Sequence, residues 1–94
     1  MFGVRYKGLR IEVTKAAARE LVDEAMTLYD VVEVLEDGYC VKKRAPGVEE
    51  KRLRKGNKLI TAVVVAKSVR FEGNLCENVW LLIHAGKTTY KEGR

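Results

Sequence analysis

The residues best suited to chemistry are the cations of one short basic segment. Between Lys42 and Lys58 the chain carries eight lysines and arginines against two glutamates. Such a density suits phosphate recognition, because each phosphate that is neutralised releases condensed counterions. The alternative is a solvated hairpin whose charges keep an edge strand from pairing with other chains. The candidate phosphate-contacting residues are Arg44, Lys51, Arg52, Arg54 and Lys55.

The preceding part of the chain has the opposite charge. From Thr14 to Asp37 two cations face seven carboxylates, although the net charge of the chain is +5. An acidic surface of one copy could therefore meet the basic segment of another, so a homodimer or a larger assembly is one interpretation of this pattern.

The two cysteines predict neither a metal site nor a cofactor. Cys40 and Cys76 are far apart and match no CxxC spacing. We expect two buried small apolar side chains. A disulfide is the alternative, because the chain has no Gln, few Asn and many Lys, Arg and Glu, a composition typical of thermophiles, whose intracellular proteins can keep disulfides.

Length and hydropathy predict one domain over residues 1–94. No apolar run approaches the roughly 18 residues of a membrane span, and the first ten residues, MFGVRYKGLR, lack the apolar centre of a secretory signal. We therefore expect a cytoplasmic protein with no membrane partner.

The residues that position this chemistry are organised around Leu59–Ala66, an uncharged, β-branched run that predicts a strand covered on both faces at the centre of a sheet. Ahead of it, Phe2–Val13 predicts one strand or a hairpin. A helix capped by Thr14 should follow. Its predicted apolar stripe is Ala18, Leu21, Val22, Ala25, Met26 and Tyr29.

A short second helix is predicted to start at an Asp30 cap, with Glu33 completing a capping box, and to stop at Gly38. Its apolar side should hold Val31, Val34 and Leu35.

Strand patterns fill most of the remaining chain. The predicted strands are Tyr39–Ala45 before the turn at Pro46 and Gly47, Val48–Lys55 and Lys58–Lys67 as a hairpin through Gly56 and Asn57, and Cys76–His84 after a turn at Gly73 and Asn74. Trp80 should lie in the core, and the tail from Ala85 should fray.

The fold class that follows is α+β: an N-terminal strand, two helices, then a three- to four-stranded antiparallel meander with the helices on one face. The other face would be free. A free face rimmed by arginine and lysine could bind an RNA backbone.

The runs RIEVTKAAAREL, DVVEVLEDG, EEKRLRKGNKLITAVVVA and VWLLIHAGK, between Arg10 and Lys87, resemble a small domain family of unknown function related to BrnT-type and RelE-type toxins. In that family a strand and two helices, the second ending in an acidic residue and Gly, precede a basic strand, an apolar strand and a last strand with a polar motif. The resemblance implies a RelE-like fold and an antitoxin-like protein as partner.

For active members, the resemblance implies metal-free RNA cleavage by attack of the ribose 2′-OH on the adjacent phosphate. Arg52 and Arg54 would hold the phosphate, His84 would transfer a proton, Lys87 would stabilise the transition-state charge, and Tyr90 would stack on a base or act as an acid. The region around Thr14 lacks the His that many relatives carry, and Gly86 replaces a common Arg. A structural role for His84 and a non-catalytic RNA- or protein-binding module therefore stay open.

Overall fold

Two helices and a six-stranded sheet make up the fold in the computed structural model, which describes residues 4–41, 46–71 and 75–89, and at 70, 71 and 75 the backbone alone. The helices are α1 (Lys15–Asp23) and α2 (Leu28–Asp37). The strands are β1 (Arg5–Tyr6), β2 (Leu9–Val13), β3 (Tyr39–Cys40), β4 (Val48–Lys55), β5 (Lys58–Phe71) and β6 (Leu75–Thr89).

The sheet order is β1-β2-β6-β5-β4-β3. The α+β class is confirmed, and β3 to β6 form an antiparallel four-stranded meander. Of the two alternatives for the N-terminal segment, one strand or a hairpin, the structure has the β1–β2 hairpin. The parallel pairing of β2 with β6 was not predicted. The two helices carry the chain from β2 across to the far edge of the sheet, where the meander starts and then returns towards β2.

The first helix differs from its predicted apolar stripe. Thr14 is the N-cap, as expected, but the buried residues of this region are Ala17, Leu21 and Met26. Val22 is 79% exposed. The helix stops at Asp23, and the turn after it breaks the helical period on which the stripe depended. Four residues of that stripe are exposed: Ala18 and Val22 on the outer side of α1, and Ala25 and Tyr29 beyond its end.

The second helix begins at a different cap. Thr27 is the N-cap, and Asp30 is the third helical residue of its capping box. The Thr27 hydroxyl accepts from the Asp30 amide, while the Asp30 carboxylate accepts from the Thr27 amide at 2.9 Å. The predicted Asp30 cap is wrong because the preceding threonine supplies the same chemistry one turn earlier. The stop at Gly38 and the buried Val31, Val34 and Leu35 are confirmed.

The core lies between the helices and the centre of the sheet. β5 is an interior strand, as its apolar run predicts, and Ile60, Ala62 and Val64 face the helices. Trp80 is buried as expected, and its indole N–H donates to the Tyr6 carbonyl at 3.1 Å. Burial of this cluster holds the sheet against α1 and α2.

Two further predictions are wrong. Cys40 and Cys76 are exposed thiols that no disulfide joins, since β3 is an edge strand and Cys76 lies where β6 pairs with β5 alone. Residues Ala85–Thr89 belong to β6, because pairing with β5 continues as far as Thr89. The segment 42–45, the turn at Gly73 and Asn74 and the last residues of the tail lie outside the described residues.

Candidate functional site

Side chains of β4 divide between two faces of the sheet. Leu53 packs against the core and Lys55 reaches Glu33 of α2, so both lie on the helix side. Alternate strand residues point to opposite faces. Arg52 and Arg54 therefore lie on the other side, here called the open face.

A β-bulge in β6 brings His84 to the same face. Val63 pairs with His84 and Val64 with Leu82, so Ile83 is an extra residue in β6. The bulge reverses the alternation that would have placed His84 with Leu82 on the helix side. A Cβ built on Gly86 would lie 3.6 Å from the His84 Nε2. The imidazole therefore leans over Gly86 on the open face.

A carboxylate from α1 orients this imidazole. The Glu20 Oε2 lies 3.0 Å from the His84 Nδ1, and the Glu20 Oε1 accepts from the Ala85 amide at 2.9 Å. The pairing of β2 with β6 ends at Leu82. Beyond that point the Glu20 carboxylate, rather than β2, accepts the hydrogen bond from the β6 backbone at Ala85. The second ring nitrogen, Nε2, belongs to a side chain that is half exposed. A carboxylate against one ring nitrogen fixes the orientation of the ring and leaves the other ring nitrogen to face a ligand.

Arg52 lies across the sheet from this imidazole. Arg52, Thr61 and Gly86 occupy one row of three adjacent strands. Two strand spacings, about 9 to 10 Å, separate the backbones of β4 and β6. Thr61 and Gly86 are partly exposed, whereas Val63 in the row of His84 is 1% exposed, so a ligand can reach this face at Thr61 and Gly86.

The guanidinium of Arg52 is incompletely bonded. Its Nη2 lies 3.7 Å from the Glu50 Oε2, and its Nε is buried and has no hydrogen-bond partner among the residues that the structure describes. A buried donor without an acceptor is costly in a protein. Glu50 shares the open face, in the row that also contains Val63 and His84.

The other predicted residues lie elsewhere. Lys51 and Lys55 are on the helix side, and Lys87 lines a cleft there with Lys58 and Asp30. His84 and Lys87 are therefore not brought together. Arg54 shares the open face with Arg52 and its Nε donates to the Gly56 carbonyl at 3.1 Å. Arg44 and Tyr90 lie outside the described residues.

Sequence reasoning missed two carboxylates of this site. Glu50 alternates with Arg52 and Arg54 in EEKRLR, so the period of a strand could have placed it on their face. Glu20 is 64 residues from His84, and no local pattern links the two. Within residues 4–41, 46–71 and 75–89, no group of three or more His, Cys, Asp or Glu side chains could hold a metal ion.

Comparison of the chain with protein-family models, with curated proteins and with solved structures gives no match. In the part of the chain that the structure describes, neither helix is long and apolar enough to cross a membrane. The function must therefore be inferred from the geometry of the open face.

Proposed function

We propose that this protein cleaves RNA without a metal ion, using the open face of the sheet. The observation that carries the proposal is the Glu20-bound imidazole of His84, which lies on the same face as Arg52, Arg54 and Glu50. Proton-transfer groups and guanidinium cations on one accessible surface are what attack by a ribose 2′-OH on a phosphodiester requires.

The roles follow from the partners of each group. The Glu50 carboxylate accepts the proton of the 2′-OH, whose oxygen attacks the adjacent phosphorus. Arg52 and Arg54 stabilise the charge of the phosphorane. The bond from phosphorus to the 5′ oxygen breaks, and protonated His84 gives the Nε2 proton to that oxygen, while Glu20 stabilises the imidazolium. The products are a 2′,3′-cyclic phosphate and a 5′-hydroxyl.

The positions of the two proton-transfer groups suit this reaction. Glu50 and His84 lie on β4 and β6 with β5 between them. Val63, the residue directly between them, is 1% exposed, so the phosphate is placed over the neighbouring Thr61, which is partly exposed. In-line attack needs the base and the acid on opposite sides of the phosphorus.

The order of the elements supports the RelE-like relationship. β2, α1 and an α2 that ends at Asp37 and Gly38 precede the basic β4, the apolar β5 and a last strand. Apart from the two-residue strands β1 and β3, this is the order that the resemblance implies. We extend the proposal to an antitoxin-like partner, whose acidic residues would cover Arg52 and Arg54 and block the site.

The test is incubation of the purified protein with a mixed-sequence RNA in excess chelator, with mass spectrometry of the products. Cyclic phosphate ends should form. His84→Ala and Glu50→Gln should each slow their formation by about a hundredfold or more. Arg52→Ala should cost a similar factor.

Matched variants control for charge and stability. Glu36→Gln removes a carboxylate from the exposed side of α2, and Arg19→Ala removes an arginine from the exposed side of α1. Both should cleave at the parent rate. Equal losses in the controls, or no cyclic phosphate from the parent protein, would refute the proposal.

A second candidate function is RNA binding without cleavage, favoured by the incompletely bonded Arg52 guanidinium. It predicts salt-dependent binding with no products, lost when Arg52 and Arg54 are both changed to Glu. Affinity should fall with salt at a log–log slope of about −0.7 for each phosphate contacted. Binding in the absence of products, at every RNA length tested, would select this function over the first.

A further inference from the structure

A cleft on the helix side carries a second cluster of cations. It measures about 210 Å³ and opens at the end of the sheet formed by the β4–β5 turn. Its floor is apolar, since Met26 and Ile60 are each 7% exposed. The residues that line it are Met26, Asp30, Lys55, Lys58, Ile60 and Lys87.

Two of the three lysines are available to a ligand. Lys55 is neutralised by Glu33, whose Oε1 lies 2.9 Å from its Nζ. Among the described residues, the hydrogen-bond partner of Lys58 is a neutral group, the Thr89 hydroxyl, at 3.0 Å. Lys87 has no hydrogen-bond or ion-pair partner among the described residues.

The sheet register places these two lysines close together. Lys58 pairs with Thr89 and Ile60 with Lys87, so Lys58 and Lys87 are diagonal neighbours on adjacent strands. Such neighbours lie about 7 to 8 Å apart on the same face, and flexible lysine side chains can converge on one anion between them.

The carboxylates near the cleft are already engaged. Asp30 accepts the Thr27 amide in the α2 capping box, and Glu33 pairs with Lys55. Two lysines of the lining, Lys58 and Lys87, have no carboxylate partner among the described residues, so they offer two positive charges to a ligand. A phosphomonoester carries about −1.5 to −2 at pH 7, whereas a bridging phosphodiester carries −1.

We infer that this cleft binds the terminal phosphomonoester of an RNA strand, with Lys58 and Lys87 on the phosphate and the apolar floor under the attached nucleoside. The inference rests on the proposed action on RNA and adds a preference for phosphorylated ends. The two charges of Lys58 and Lys87 match those of a monoester, and the cleft volume of about 210 Å³ fits one terminal group rather than a length of continuous strand.

The test is fluorescence anisotropy with one RNA sequence in three forms: 5′-phosphorylated, 3′-phosphorylated and with hydroxyl at both ends. One phosphorylated form should bind about tenfold more tightly than the hydroxyl form. Lys58→Gln and Lys87→Gln should each remove most of that preference. Lys67→Gln is the matched control, since Lys67 is exposed and lies near the other end of β5.

The outcomes separate this inference from the proposed function. Equal affinity for all three RNAs, or a preference that survives in both cleft variants, would overturn the terminal phosphate site and leave the proposed function standing. Loss of the preference in Lys67→Gln would also overturn it, because the effect would then come from net charge. Failure of every RNA to bind would overturn both.

Discussion

At the scale of single residues, Glu20 has the most specific role in the proposed reaction. Its two oxygens contact the His84 imidazole and the Ala85 amide, so it joins α1 to the bulged part of β6. One carboxylate oxygen fixes the β6 backbone at Ala85, and the negative charge acts on the His84 ring. A substitution that keeps the shape and removes the charge separates these two contributions.

Glu20→Gln should keep the fold and reduce RNA cleavage roughly tenfold or more. The amide oxygen can still accept the Ala85 N–H, but a neutral side chain no longer stabilises protonated His84. The measurements are the initial cleavage rate and the melting temperature. An unchanged rate, in a protein that His84→Ala inactivates, would show that Glu20 has no part in the chemistry.

The Tyr6–Glu49 contact links stability to pH. Burial raises the pKa of Tyr6 above its usual range, and so does its 2.8 Å hydrogen bond to Glu49. Burial alone would raise the pKa of Glu49, but the hydrogen bonds from Tyr6 and Lys7 prevail and lower it. Arg10 similarly lowers the pKa of Glu77 by a hydrogen bond.

We therefore expect the free energy of unfolding to be greatest between about pH 5 and pH 10. Glu49 contributes fully to this free energy above its unfolded pKa of about 4.3. The contribution is lost as pH falls towards the lowered pKa of the folded state. Tyr6 contributes fully to this free energy below its unfolded pKa of about 10. The contribution is lost as pH rises towards the raised pKa of the folded state.

Urea unfolding across pH checks this, with Tyr6→Phe as the comparison. The variant should lose most of the alkaline fall and keep a smaller acid fall, owing to Glu77 and to the hydrogen bond that Glu49 still accepts from Lys7. Identical pH profiles for the two proteins would contradict the assignment.

At the scale of elements, Ala25, just beyond the end of α1, lowers the free energy of unfolding through its backbone conformation. Ala25 has a φ of 54°, in the left-handed region that favours glycine. The Ala25 amide donates to the Val22 carbonyl and the Met26 amide to the Leu21 carbonyl, which is a Schellman motif with alanine in the glycine position.

Ala25→Gly should raise the free energy of unfolding by about 0.5 to 1 kcal/mol. The native φ becomes unstrained, although glycine adds entropy to the unfolded chain. Denaturant titration measures the difference, and Ala18→Gly in the exposed middle of α1 should lower stability by about as much. A destabilised Ala25→Gly protein would mean that the strain is absent.

Position 38 requires glycine because two backbone carbonyl oxygens lie too close to leave room for a Cβ. Its φ of −79° would suit any residue. A Cβ there would lie 2.3 Å from the Val34 carbonyl oxygen and 2.5 Å from that of Arg52. Gly38→Ala should therefore destabilise the protein by at least about 2 kcal/mol, because backbone atoms must move.

Gly56→Ala provides a comparison for Gly38→Ala, since its Cβ would meet nothing within 4 Å and only its φ of 62° is unfavourable. The predicted cost there is about 1 kcal/mol. Thermal and denaturant unfolding measure both, and a smaller loss for Gly38→Ala than for Gly56→Ala would contradict the contact.

The elements that could be predicted from the sequence are those with strong local signals. Leu59–Ala66 is uncharged and β-branched, Thr14 caps α1, and Gly56 and Asn57 turn the chain between β4 and β5. The bulge at Ile83 could not be predicted. A bulge shows in a sequence as a break in the alternation of apolar and polar residues, and VWLLIH is apolar on both faces.

At the scale of the whole molecule, the sheet order determines which distant residues meet. The parallel pairing of β2 with β6 places α1 beside the β6 edge, and this brings Glu20 to His84. The basic segment was visible in the sequence, but its division between the open face and the helix-side cleft depends on register. Register depends on long-range pairing, which local patterns do not specify.

Both sites should give the protein a salt-dependent affinity for RNA. Loss of Arg52 and Arg54 together should reduce the magnitude of the log–log salt slope by about 1.4, at about 0.7 for each contact. Titrations of a labelled single strand between low and physiological salt measure this, with Lys15 and Arg19 on α1 as the matched pair of cations. Equal slopes in the two double variants would contradict a role for the open face.

The most direct test of the central claim uses a DNA oligonucleotide that contains a single ribose, incubated with the protein in excess chelator. Attack by a 2′-OH predicts one cut, 3′ of that ribose, with a cyclic phosphate on the 5′ fragment, and no cut when the ribose carries a 2′-O-methyl group. His84→Ala should abolish the cut. Cleavage elsewhere in the strand, or cleavage that survives 2′-O-methylation, would contradict the account.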